Sequence, residues 1–143
     1  MSTAKLNLIK LCVGTETVDA LAEWQARRTA EQGAATAVHV TRMWPKRADE
    51  LLDGGALYWV IKGLVLARQR ILALEPRDGA DGVRRCAIML DPVILRTAAQ
   101  QRRPFQGWRY LRGADAPRDL GAGSGRADLP PALMARLDAL GVL

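Results

Sequence analysis

Apolar side chains at Leu6, Leu8, Ile9, Leu11, Cys12 and Val13 give segment 6–13 the density of a short, mostly buried strand, which Gly14 and Thr15 end. Thr17 then stands as an N-cap, Asp19 suits the positive end of a helix dipole, and Val18, Leu21 and Ala22 follow at helical spacing. A helix is predicted from there to about Glu31, stopping near Gly33. Ala37–Met43 reads as a second strand, with Val38, Val40 and Arg42 on one face and His39, Thr41 and Met43 on the other. Pro45 suits the first position of a short helix whose apolar stripe is Ala48, Leu51 and Leu52, closed by Gly54 and Gly55. Leu57–Lys62 is aromatic and β-branched, hence a strand, and Gly63 marks a turn or a bulge.

From Leu64 to Glu75 the chain alternates, with Leu64, Leu66, Arg68, Arg70, Leu72 and Leu74 on one face and Val65, Ala67, Gln69, Ile71 and Ala73 on the other. Two arginines among leucines are costly to bury, so Arg68 and Arg70 are expected at a strand end or a rim. A helix over 64–74 is the open alternative. The run PRDGADG at 76–82 is a turn, and Val83–Leu90 is the returning strand of a hairpin, ended by Asp91 and Pro92. Val93–Thr97 continues it after a kink, Gln100–Pro104 forms a polar loop, and Phe105–Leu111 is the last strand. Residues 113–128 carry no periodicity and are expected to be a flexible surface segment, either a linker or a surface lasso. Leu129, Pro130 and Pro131 open a C-terminal helix over 129–141 with Leu133, Met134, Leu137 and Leu140 as its face. Six or seven strands with about three covering helices predict an α+β fold: a curved, mainly antiparallel sheet or small open β-barrel in a single domain, 1–143.

Composition removes several classes. With 49% hydrophobic and 25% charged residues the chain is of globular type rather than disordered. Its apolar runs fall well short of the roughly 18 residues a membrane span needs, and polar residues interrupt the first ten positions, so no secretory signal is read there. Two cysteines make neither a disulfide framework nor a four-thiolate zinc site, and a soluble, reducing, cytoplasmic setting is expected.

Charge changes the picture more. The net charge is +6, yet residues 1–37 carry 4 basic and 4 acidic groups, whereas residues 38–112 carry 14 basic and 7 acidic ones. Trp44, Tyr58, Trp59, Phe105, Trp108 and Tyr110 lie in that same basic stretch. Guanidinium and ammonium groups neutralise phosphates while ring faces stack bases, which is the requirement of a single-strand surface. The competing reading makes the rings core and the arginines a solvated rim. Two clusters stand out, His39–Arg47 and Arg102–Tyr110. Arg42, Lys46 and Arg47 are expected to meet at the N-terminus of the short helix, which attracts anions. The nucleic-acid or anion-contacting set is expected to be Arg42, Trp44, Lys46, Arg47, Lys62, Arg102, Arg103, Trp108 and Arg109.

The catalytic inventory is thin. His39 is the single histidine, and Ser2 and Ser124 are the two serines, both outside the predicted elements, so a Ser-His-Asp triad is disfavoured. Cys12 or Cys86 could pair with His39, but both sit in apolar strand patterns that favour buried structural thiols. No zinc-type ligand spacing, Walker loop or dinucleotide fingerprint occurs, and no metal or cofactor is expected. Asp49, Glu50, Asp53, Glu75 and Asp91 remain as acid–base candidates; Asp49 and Asp53, four apart, read most simply as a solvated helix face.

The segments HVTRMWPKRADELLDGGALYWVIKG, RQRIL, RRCAIMLDP and PFQGWRYL resemble a conserved family of uncharacterised alphaproteobacterial proteins, the domain of unknown function 1489. The likeness runs from LIKLCVG near the start to the LPP-led C-terminal helix, and it implies no assigned activity or catalytic residue. A second, fold-level likeness is to PUA-like domains, including ASCH and EVE relatives, in the short helix ending KRADELLDGG followed by strands YWVIKG and RQRIL. Such domains mostly bind RNA or modified nucleobases in a basic cleft, and the likeness implies a cleft lined by Trp44, Lys46, Arg47, Lys62 and Trp108.

These observations together favour a basic RNA-binding module without catalysis, with no membrane association. Two alternatives stand beside it. One is a small-ligand protein or enzyme that sets a carboxylate, Glu75 or Asp91, beside Arg42 or Arg109 to act on a nucleotide-like or acidic metabolite. The other is a protein-interaction subunit using the Tyr58–Trp59 strand or the C-terminal helix.

Overall fold

The structure, a computed structural model, describes residues 5–33 and 36–120. The predicted C-terminal helix, and residues 121–128 of the predicted surface segment, lie outside the described residues. Strand β1 spans Leu6–Leu11 and helix α1 spans Val18–Gln32. Thr17 caps α1 as expected: its extended backbone turns Oγ1 toward the Ala20 N–H at 3.0 Å. Gly33 closes α1 in the left-handed region, φ 62°. Strand β2 (Ala37–Thr41) is followed by a single turn of helix, α2 (Ala48–Leu52). Pro45 does not open α2; it is buried in the loop before it, and Arg47 is the N-cap. Gly55 then passes so close to the chain that a Cβ would meet the Leu51 and Leu6 carbonyl oxygens at 2.3 and 2.7 Å.

Strand β3 (Ala56–Ile61) and the 15-residue β4 (Leu64–Asp78) form a hairpin through Lys62 and Gly63, both at positive φ. Strands β5 (Arg84–Leu90) and β6 (Leu95–Gln101) follow β4 back along its length. β5 pairs with the second half of β4 and β6 with the first half, and the break between them falls at Asp91 and Pro92. The PRDGADG turn is shorter than expected because β4 continues to Asp78, and Gln100 and Gln101 belong to β6 rather than to a loop. Strand β7 (Trp108–Arg112) leads into a 3-10 turn, Gly113–Asp115.

The order β2-β5-β4-β3-β1-β7, with β6 beside β4, makes a mixed sheet of seven strands in which only β1 and β3 run parallel. The sheet is open and strongly coiled. β2 and β3 are separated by two strands in this order, yet His39 and Trp59 meet edge to face with ring centroids 5.6 Å apart. The α+β class with an open curved sheet holds; the described residues contain two α-helices rather than three.

The concave face carries the main core, including Leu6, Leu8, Leu57, Ile61, Ile71, Ile88 and Leu90, with Val18 and Leu21 of α1 laid against it. A reciprocal amide pair fixes α1 there. Gln69, fully buried, accepts at Oε1 from Gln25 Nε2 and Trp59 Nε1, both at 2.8 Å, and donates from Nε2 to Gln25 Oε1 and to the Asp91 carbonyl. All four hydrogen-bonding positions of that amide are filled.

The convex face carries a smaller core of Ile9, Ala56, Tyr58, Val60, Val65 and Leu111. Here the expected alternation of β4 fails. The register shifts between Val65 and Ala67 leave Leu66 as an extra residue, so Leu66 and Ala67 both join the concave core. Arg68 is therefore neither at a strand end nor at a rim: it is 7% exposed in mid-strand, opposite Tyr58. Asp119 compensates it with two hydrogen bonds at 2.7 and 2.6 Å. The segment that brings Asp119 in runs along the free edge of β6, with the Ala98 N–H donating to the Arg118 carbonyl and the Leu120 N–H to the Arg96 carbonyl. The described part of segment 113–128 is thus a docked strap.

Candidate functional site

One end of the curved sheet gathers most of the polar chemistry. Alternation along β1 puts Lys10 and Cys12 on the concave side, below Leu6 and Leu8. The Cys12 N–H extends the β1–β3 ladder to the Val60 carbonyl at 2.8 Å. The chain then turns so that Thr15 Oγ1 lies 2.7 Å from Cys12 Sγ. α1 brings Leu21 and Trp24, β2 brings His39, and β3 brings Trp59. Together with Leu11 and Val13 these residues line a cavity of about 170 Å³.

His39 is half-buried, and its Nε2 is sealed from solvent with no hydrogen-bond partner among the described residues. Burial, and secondarily the positive charge of Lys10, pushes its pKa down to about 4. Burial also raises the Cys12 thiol, although the Thr15 contact and Lys10 act in the opposite direction. At neutral pH the site therefore holds a neutral imidazole and a neutral thiol. A nucleophilic cysteine needs the reverse, a lowered thiol beside a basic imidazole, so the arrangement suits holding a ligand rather than attacking one. Cys86 is fully buried and pushed up to about 11 by that burial, as expected for a structural thiol.

A second group adjoins the first through β-sheet register. Lys10 on β1 is paired with Trp108 on β7. Trp108 is only 6% exposed and donates its indole N–H to the Met43 carbonyl at 2.8 Å. Two residues on, the Tyr110 hydroxyl accepts from the backbone N–H groups of Lys46 and Arg47 at 3.0 and 3.1 Å. The two rings pack edge to face at 4.9 Å. Loop 42–47 is thereby pinned to β7 and spans the gap between the two sheet edges, β2 and β7. Trp108 braces that loop and offers no open ring face, whereas Trp44 on the loop is 40% exposed and Trp24 at the cavity is 41% exposed. The Arg28 guanidinium sits 5.1 Å from the Trp24 ring centroid.

Loop 42–47, which carries Trp44, Lys46 and Arg47, lies against Trp108 and Tyr110 of β7, and Arg42 stands exposed at the exit from β2. The expected anion site at the start of α2 does not form. That helix has five residues, and Arg47 pairs with Glu50 in its first turn while lying over the Tyr110 ring at 5.6 Å. Lys62 sits in the β3–β4 turn with Glu16 at 3.3 Å. The Arg102 N–H donates to the Gly63 carbonyl, so Lys62, Arg102 and the exposed Arg103 reach the same end of the sheet. Arg102 is turned onto Gln100 Oε1 at 3.0 and 2.7 Å, and Arg109 lies over Phe105 on the face of β7 opposite Trp108. These three arginines are separate from the cavity. Arg42, Lys46, Arg103 and Arg109 have no carboxylate within ion-pair distance among the described residues.

Asp91 holds the Val93 N–H at 2.9 Å and lies with Arg68 and Arg70 around a shallow depression, not beside Arg42 or Arg109. Asp49 and Asp53 are exposed, as a solvated face requires. Sequence reasoning missed Lys10, Thr15, Trp24 and the placing of His39 against Trp59. The available signals were a lysine inside a mostly apolar strand and a lone histidine on the inward face of β2.

The family model described as "Protein of unknown function (DUF1489)" matches residues 8–143. The chain belongs to this family. No curated protein and no solved structure matches it. The matched span of this DUF1489 chain includes every residue of the cavity and of the pinned 42–47 loop. No described helix is long and apolar enough to cross a membrane, and no group of three or more potential metal ligands occurs among the described residues.

Proposed function

We propose that this protein is a non-catalytic binding module for single-stranded nucleic acid, RNA foremost, working in the cytoplasm where its two thiols stay reduced. The observation that carries this reading is the pairing of exposed rings with cations that lack carboxylate partners among the described residues. Trp24 and Trp44 are exposed rings, Lys10 lines the cavity with Trp24, Arg28 lies over one face of Trp24, and Arg42 and Lys46 flank Trp44 along the chain. Base–aromatic stacking is worth about 1–3 kcal/mol per base, and phosphate contacts supply the remaining, salt-sensitive affinity. Lys62, Arg102 and Arg103 extend the positive rim. The reading goes with a PUA-like fold: a small coiled sheet whose edge strands, β2 and β7, are tied by loop 42–47, with a helix laid over the concave side.

Fluorescence anisotropy with short single-stranded RNA and a DNA duplex, at low and physiological salt, tests it. Saturable binding to the single strand is expected, with affinity falling steeply as salt rises. Arg42→Ala/Lys46→Ala should flatten the log–log salt slope by about 1.4, two single-strand phosphate contacts' worth. Arg102→Ala/Arg103→Ala should have a smaller effect, because Arg102 is turned onto Gln100. No saturable binding at low salt refutes the reading.

A further inference from the structure

We infer that the depression lined by Gly54, Arg68, Arg70, Asp91, Val93 and Leu95 is a docking site for this chain's own C-terminal residues 129–140, received as an amphipathic helix with Asp138 facing Arg70. The inference stands apart from the nucleic-acid reading and needs no ligand.

The receiving surface is apolar with one charge of each sign. Val93 is 60% and Leu95 39% exposed, and both border a depression of about 380 Å³. Arg70, an exposed cation, and Asp91, whose carboxylate accepts the Val93 N–H, border it too. Neither has an ionic partner among the described residues.

The path of the chain points to the occupant. The strap runs antiparallel to β6, and the Leu120 N–H donates to the Arg96 carbonyl at 2.9 Å. Where the described residues stop, the chain is therefore heading from Arg96 toward Leu95 and Val93. Eight residues, 121–128, separate Leu120 from Leu129, and a glycine-rich chain of that length spans about 14–17 Å. Tethering over so short a span gives an effective concentration in the millimolar range, so even weak docking is populated.

The sequence beyond the tether matches the surface. On a helix, Leu133, Met134, Leu137 and Leu140 occupy about 120° of arc. Arg136 and Asp138, the two charged residues of 129–143, fall about 40° beyond opposite edges of that stripe. With the stripe on Val93 and Leu95, Asp138 meets Arg70 and Arg136 meets Asp91. Pro130 and Pro131 suit the first turn, where no N–H is needed. A helix of about 12 residues is marginal in water by itself, so docking has to hold it.

Amide hydrogen exchange on the ¹⁵N-labelled full chain, at low and high protein concentration, tests this. The amides of Leu133–Leu140 should be protected equally at both concentrations. Val93→Asp sets an unpaired charge under the stripe and should speed their exchange by at least about tenfold. Arg70→Asp should speed it by about three- to tenfold, and Arg70→Asp/Asp138→Arg should restore the protection. Val93 and Arg70 are both exposed, so the sheet tolerates these changes.

Exchange of Leu133–Leu140 at open-chain rates overturns the docking. Protection that neither Val93→Asp nor Arg70→Asp reduces overturns this site and moves the segment elsewhere, the groove lined by Ala22, Ala26 and Ile94 beside α1 being the next apolar surface. Protection that grows with protein concentration makes the occupant a second copy and overturns docking within one chain. Loss of protection in Arg70→Asp without recovery in the charge-swapped chain overturns the pairing of Asp138 with Arg70.

Discussion

His39 should make this protein acid-sensitive in a pH range above that of ordinary carboxylates. Its imidazole is half-buried against Trp59, its Nε2 has no partner among the described residues, and burial together with Lys10 holds its pKa at about 4 rather than 6.5. Well above pH 6.5 the histidine is neutral in both the folded and the unfolded chain, and its contribution to stability does not change with pH. Between pH 6.5 and 4 the unfolded chain binds the proton and the folded chain does not, so stability falls as the pH is lowered. The full difference corresponds to about 3 kcal/mol at 1.36 kcal/mol per unit, and about 2 kcal/mol of it is lost between pH 7 and pH 5. Urea unfolding of the natural chain and His39→Phe at pH 7, 6, 5 and 4.5 isolates the effect, because carboxylate contributions cancel in the comparison. The variant is expected to be at least as stable at pH 7 and to lose about 2 kcal/mol less on going to pH 5. Parallel pH profiles for the two proteins would show that the native imidazole takes up its proton freely, which refutes the sealed placement of Nε2.

Further outcomes follow from buried polar pairs and from one strained turn. Gln69→Leu strands the Gln25 amide and the Trp59 N–H, and should cost about 3 kcal/mol in urea melts. A double-mutant cycle with Gln25→Leu should return a coupling of at least about 1 kcal/mol. Asp119→Ala leaves the Arg68 guanidinium buried without its carboxylate and should destabilise by about 2–3 kcal/mol, toward the low end for such pairs because Asp119 is partly exposed. Adding Arg68→Met should restore much of that loss, and no recovery would show that the guanidinium is not the destabilising group. Lys62, at φ 52°, occupies backbone space that asparagine tolerates better. Lys62→Asn should therefore raise the thermal midpoint by a few degrees, about 0.5–1 kcal/mol, as read by calorimetry.

Local chemistry decided most of the elements. The Thr17 cap, the Gly33 stop, the strands around Leu8, Tyr58 and Ile88, and the turn near Gly79 are all written in short-range pattern. They form where predicted because capping, left-handed glycine backbone and β-branched packing act within a few residues. The α+β class with a curved, mostly antiparallel sheet follows from their sum, and the positive charge of residues 38–112 follows from composition alone. Tertiary structure decided the rest. The extra residue at Leu66 breaks an alternation that looked regular. It places Arg68 in the interior, where only a carboxylate about fifty positions away along the chain makes it tolerable. Gln25 and Gln69 are ordinary polar residues until the fold sets their amides face to face. Trp108, which reads as an open stacking surface, becomes a brace because loop 42–47 closes over it. Lys10, Thr15, Trp24, His39 and Trp59 come from two helices' worth of separation in sequence and share one cavity only because the sheet coils β2 back onto β3. Spacing along a chain reports contacts within a turn or a strand. Contacts made by coiling, bulging and strand order depend on which distant faces finally meet, and a single sequence does not display that.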